Sequence, residues 1–77
     1  MTIQHTNIAS GYRYHGGNAL ILAQAAKANG YTAPEWCTKT QAERLGRPVM
    51  PGAAGVVVML NDRQFTVYNV AQLAAAA

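Results

Sequence analysis

Apolar positions in this chain fall into three runs separated by turn residues. The first runs from Ala19 to Ala28 in "NALILAQAAKANG", where only Gln24 and Lys27 are polar. Its length and alanine content predict a helix over about 18–29, with Asn18 as N-cap and Gly30 in the left-handed stop position. Because polar residues are confined to one narrow stripe, most of its circumference is expected to be covered.

The second and third runs are Val56–Leu60 and Arg63–Tyr68, flanking Asn61-Asp62. Asn and Asp tolerate positive φ, so the pair predicts a two-residue hairpin turn between strands of about 55–60 and 63–69. That turn fixes the register: Val58 opposes Phe65 and Val56 opposes Val67 on one face, with Val57, Met59, Gln64, Thr66 and Tyr68 on the other. A lone hairpin is marginal in water. A third strand is therefore expected from Thr2–Gln4 or Val49–Met50, with the first helix covering one face.

Between these runs, Thr38-Lys39-Thr40-Gln41 has the spacing of a capping box and predicts a second helix over about 38–45, stopped by Gly46 and Pro48. "PVMPGAAG" reads as a loop. Asn69 is placed to cap a last short helix through Leu73, and the alanines at 74–77 read as a frayed tail. The expected fold is α+β: two short helices on a small antiparallel sheet built around the hairpin, with residues 1–10 a strand or arm.

At 77 residues the chain holds one domain with a thin core. The expected core is Ile3, Leu20–Leu22, Trp36, Leu45, Val56–Leu60, Phe65, Val67 and Leu73, with Met50 and Met59 as fillers. Six Lys and Arg against three Asp and Glu give a net charge of +3, a mild excess that permits nucleic acid without requiring it. One cysteine excludes an intrachain disulfide and favours a cytoplasmic protein. The start "MTIQHTNIAS" has neither a basic n-region nor an apolar core, and no apolar run reaches membrane length, so neither a leader nor a membrane partner is expected.

The chemistry of known catalytic motifs is missing. There is no His-Glu-x-x-His, no phosphate-binding glycine loop and no Gly-x-Ser-x-Gly elbow, so the expectation is no enzyme, catalytic residue, metal, cofactor or small-molecule substrate. Cys37 with His5 or His15 has nothing to orient an imidazole, and a semi-buried thiol is the simpler reading. Glu35 and Glu43 read as solvated surface.

One cluster stands apart: "GYRYHGGN", residues 11–18, ahead of the first helix. As a glycine turn it would bury Tyr12 or Tyr14 under the helix. Alternation in an extended segment would set both tyrosines on one side and Arg13 and His15 on the other. Gly16 and Gly17 are expected to be needed by the backbone there. Aromatic rings and a guanidinium beside a helix N-terminus are the parts of a single-strand binding platform. Trp36 reads as a core anchor pinning a loop, with base stacking as the alternative.

In order, "GYRYHGGNALIL", "GYTAPEWCTKTQAERLG", the valine strand and "FTVYNVAQL" resemble the N-terminal domain of the ArdC antirestriction proteins of plasmids and other mobile elements. The resemblance spans about Gly11 to Leu73. It implies a single-stranded-DNA-binding domain, which in that family precedes a separate metallopeptidase-like domain not represented here. Arg13, Tyr14, Gly16, Asn18, Trp36 and Thr38 are the matching positions. A lysine-rich glycine loop expected before the valine strand is replaced by Pro51–Gly55, which lowers the expected strength of DNA binding.

The expected function is a small non-catalytic counter-defence protein of a phage or mobile element. Its partner would be single-stranded DNA or, alternatively, a restriction or CRISPR effector complex whose nucleic-acid site it blocks. Candidate contact residues are Tyr12, Arg13, Tyr14, His15 and Asn18 at the helix entrance, and Trp36, Lys39, Arg44 and Arg47 around the second helix.

Overall fold

In the computed structural model, which describes residues 3–75, a four-stranded sheet carries one helix on each face. The elements are β1 (Thr6–Asn7), α1 (Gly16–Asn29), β2 (Glu35–Thr38), α2 (Lys39–Arg44), β3 (Val56–Leu60) and β4 (Arg63–Asn69), followed by a 3-10 turn at Val70–Gln72. Strand order is β1-β2-β4-β3. β1 runs parallel to β2 and the other pairs are antiparallel, so the α+β class holds while the sheet is mixed rather than antiparallel.

The hairpin has the expected register, Val58 opposite Phe65 and Val56 opposite Val67. Asn61 and Asp62 both take positive φ, 50° and 64°, as a type I′ turn requires. The capping box at Thr38 and Gln41 is formed, as is a second one at Asn69 and Gln72.

Side-chain alternation along β2 and β4 builds two cores. Trp36 and Val67 face α1 and pack with Tyr14, Leu22, Ala26 and Val58. Cys37 and Tyr68 face the other way, joining Ala42 of α2 and Leu73, with Ile8, Val49 and Val70 at the margin. Gly55 is fixed by packing: a Cβ there would fall on Thr66 Cγ2 and lie 3.0 Å from the Tyr68 ring.

Several expectations are corrected. α1 begins at Gly16 with His15 as N-cap, so Asn18 lies inside the first turn. Gly16 takes a φ of +63° that disfavours other residues, whereas Gly17 has an ordinary φ and open space around its Cβ position. α1 is buried only through Leu22 and Ala26, and Leu20 and Ile21 are exposed, because one sheet face covers one side of a helix and nothing among the described residues covers the other. Ile3, Leu45, Met50, Val57, Met59 and Phe65 are likewise exposed large apolar residues.

The third strand is neither of the segments expected. It is β2, with Trp36 at its centre, and Thr6–Asn7 adds a fourth; Val49 contributes only an isolated bridge to Leu73, and Thr2 lies outside the described residues. Ala74 is tied down, its N–H donating to Pro48 O and its carbonyl accepting from Arg47 Nε. Ala76 and Ala77 lie outside the described residues. Among the described residues, no helix is long and apolar enough to cross a membrane.

Candidate functional site

The helix-entrance segment is presented by a tight loop that folds back on β1. Asn7 N–H donates to Tyr12 O at 2.8 Å and Tyr14 N–H to His5 O at 2.9 Å, with Thr6 and Arg13 bridged antiparallel. Asn7 closes the turn, its Oδ1 accepting from the N–H groups of Ala9 and Ser10 in an Asx turn. Its Nδ2 donates to the Tyr14 hydroxyl at 3.2 Å and to Gln41 Oε1 at 2.8 Å, joining the loop to the capping box of α2. His5 is the second tie: its Nδ1 accepts from Trp36 Nε1 at 2.9 Å. That bond needs a neutral imidazole, and burial holds the His5 pKa below its usual 6.5.

These ties sort the candidate residues. Tyr12 and Tyr14 do share one side, with ring centroids 5.3 Å apart in an edge contact. Tyr14 is buried at 2% exposure, and burial raises its hydroxyl pKa above the ordinary 10.0. Tyr12 is 40% exposed and also touches the His15 ring, centroids 5.8 Å apart. Arg13 and His15 are exposed. One tyrosine anchors and the other is displayed.

Asn18 does not face outward freely. Its Nδ2 donates to Met59 O and its Oδ1 accepts from Met59 N–H, so the side-chain amide pairs with the outer edge of β3 as a strand residue would. Met59 is a non-hydrogen-bonded position of the hairpin ladder, which leaves its N–H and C=O pointing away from β4. The clasp caps part of an otherwise open sheet edge.

Trp36 has 0% exposure, so its indole is a core group and base stacking on it is corrected. Lys39 and Arg44 are exposed on α2, while Arg47 is half-buried against Ala74. Lys39 adjoins Thr38, which lines a small cleft with Tyr12, so the start of α2 and the aromatic loop meet; no such contact joins Arg44 or Arg47 to them among the described residues.

Cys37 lies in the core opposite to the one holding Trp36, while His5 bonds Trp36, so the two form no nucleophile and base pair. Burial raises the thiol pKa, opposed by the charge of Arg47. Among the described residues no three His, Cys, Asp or Glu side chains come together.

Sequence reasoning missed His5, Asn7 and the outer role of Gln41. The Asn7-Ile8-Ala9-Ser10-Gly11 run is a recognisable turn cluster. Its partners, 7 to 34 residues away, are not readable from spacing.

Residues 1–77 match the family model for the N-terminal domain of anti-restriction factor ArdC. No curated protein matches the chain. Among solved structures, the Mn(II)-bound antirestriction ArdC protein from the R388 plasmid superposes with a TM-score of 0.83 at 26% identity, over 96% of this chain and 35% of that one. The metal-free structure of the R388 plasmid protein gives 0.80 at 23% identity, over 96% and 33%, a likeness of fold. The chain thus spans about a third of the length of those proteins. With a match along its whole length, a shared fold and the helix-entrance loop in place, this chain belongs to the family of N-terminal domains of the anti-restriction factor ArdC.

Proposed function

We propose that this chain is a non-catalytic counter-defence protein of a phage or mobile element that binds single-stranded DNA through the loop at the entrance of α1. The observation that carries the reading is the display of Tyr12. Its partner Tyr14 is buried and hydrogen-bonded, and the displayed ring touches the His15 ring and is followed in the chain by exposed Arg13, on a chain of net charge +3. An exposed ring near a guanidinium is how a base is stacked and its phosphate neutralised. Membership in an anti-restriction family supports the counter-defence setting.

Two exposed cations, Arg13 on the loop and Lys39 at the start of α2, are available to one strand. Each phosphate neutralised on a single strand contributes about −0.7 to the log-log salt slope, giving about −1.4, or roughly sevenfold weaker binding on a fourfold rise in salt. In an anisotropy titration with a labelled oligonucleotide, Arg13→Ala is expected to flatten the slope by about 0.7. Tyr12→Ala is expected to weaken binding by about 1–3 kcal/mol and leave the slope alone, since stacking releases no counterions. An oligonucleotide that gives no anisotropy change with micromolar protein would sink this reading.

A specific observation favours a second one, docking onto a restriction or CRISPR effector. Leu20 and Ile21 on α1 are 60% and 41% exposed, and Val57 and Met59 on β3 are 49% exposed, near the Asn18–Met59 clasp. Such residues serve as anchors in a protein interface. That reading predicts a stable complex on co-purification with the effector and weak dependence on salt.

A further inference from the structure

Beside the displayed tyrosine is a cleft of about 150 Å³ that the single-strand reading leaves unused. Tyr12, Leu60 and Phe65 give it apolar walls, Tyr14 and Val67 lie beneath them in the core, and Asn7, Thr38 and Gln41 supply its polar side. Phe65 remains 36% exposed although it opposes the fully buried Val58 on the inner face of the hairpin. Phe65 belongs to neither of the two buried clusters.

The hydrogen bonds on the polar side are arranged with a bias. The oxygens are occupied: Asn7 Oδ1 accepts from Ala9 and Ser10, Gln41 Oε1 accepts from Asn7 and from Thr38 N–H, and Thr38 Oγ1 accepts from Gln41 N–H. The donors are not all used. Among the described residues the Gln41 Nε2 group and the Thr38 and Tyr14 hydroxyl protons have no acceptor in the chain, whereas both Asn7 Nδ2 protons are engaged. A ligand suited to this cleft therefore brings acceptors and an apolar edge.

Size narrows the class further. A cavity of about 150 Å³ accepts one benzene-sized ring, which suits a pyrimidine better than a two-ring purine. Of the pyrimidines, thymine sets a carbonyl oxygen next to a methyl group, an acceptor beside an apolar edge. We propose that the cleft between Tyr12 and Phe65 is a slot for one thymine base, with Gln41 Nε2 donating to a ring carbonyl and the methyl against Leu60 and Phe65. This rests on the single-strand reading and adds base selectivity to it.

The discriminating substitution is Gln41→Glu. Glutamate fills the same place in a capping box, keeps an oxygen for Asn7 and Thr38, and turns the unused donor into an acceptor. Binding of labelled dT12 and dA12 is compared by anisotropy for the full chain and this variant, with the melting temperature confirming the fold. The full chain is expected to prefer dT12 by about fivefold or more, the worth of a hydrogen bond gained. Stacking within dA12 and the added negative charge act whether or not the slot exists, so the readout is the ratio, expected to fall at least severalfold in Gln41→Glu.

In parallel, thymidine 5′-monophosphate and deoxyadenosine 5′-monophosphate are titrated at millimolar concentration while amide NMR signals are followed. Thymidine monophosphate alone is expected to move the Gln41 side-chain pair and the Tyr12 and Phe65 amides. If oligonucleotides bind but the ratio survives Gln41→Glu and those signals stay still, the slot is overturned and the single-strand reading stands. If no oligonucleotide binds but thymidine monophosphate moves them, the slot stands and the single-strand reading falls. If neither binds, both fall.

Discussion

The hairpin at 56–69 and the loop at 3–15 are held by different physics. In the hairpin, neighbours in space are neighbours in sequence, and a two-residue turn with both φ values positive sets every pair from Leu60–Arg63 to Val56–Val67. The loop has only a two-residue strand, and it is positioned by side chains: His5 to Trp36 across 31 residues, Asn7 to Gln41 across 34, and the buried Tyr14. Register in the first is local and repeated; position in the second depends on a few single groups. The displayed residues Tyr12, Arg13 and His15 belong to the second region. The candidate site is therefore the part of the molecule most exposed to point substitution.

Trp36→Ala strains this comparison hardest. It removes a fully buried indole and the donor to His5, and is expected to cost about 3–5 kcal/mol in urea unfolding. Amide exchange should rise first at Thr6 and Ile8, whose N–H groups donate to Pro34 O and Trp36 O. A loss below about 1 kcal/mol would mean the loop is not hung on Trp36.

Asp62→Gly probes the other region. It relieves about 1 kcal/mol of left-handed strain at a φ of 64°, partly offset by the greater freedom of glycine in the unfolded chain. A net gain of about 0.5 kcal/mol is expected, with exchange in the 3–15 loop unchanged when stability is matched. A loop that tightened locally as well would show the two regions to be coupled.

A third effect, confined to mild acid, acts on the loop alone. Because folded His5 binds its proton less tightly than unfolded His5, the unfolded chain takes up more protons as pH falls through 6.5. The stabilisation is complete above that pH and is lost as pH falls from 6.5 towards the lower folded pKa. The melting temperature of His5→Gln should lack this component, and an identical pH profile for both proteins would show that the His5–Trp36 bond is not what titrates.

The sequence by itself determined whatever depends on residues a few positions apart. The Asn61-Asp62 turn and its register, the capping box at Thr38, the helix cap at Asn69 and the stop at Gly30 were legible because each is closed by partners at a spacing of two to four. It also carried the candidate site in outline, since Tyr12, Arg13 and His15 stand together in the chain. Tertiary structure decided the rest. Only the packing of β2 between β1 and β4 turned "EWCT" into a central strand with Trp36 and Cys37 in opposite cores. Only the approach of α1 to β3 spent Asn18 on Met59, and only the fold-back of the N-terminal loop chose Tyr14 as anchor and Tyr12 for display. Burial and long-range hydrogen bonding depend on what arrives from elsewhere in the chain, and a short segment with no period of its own carries no record of its partner.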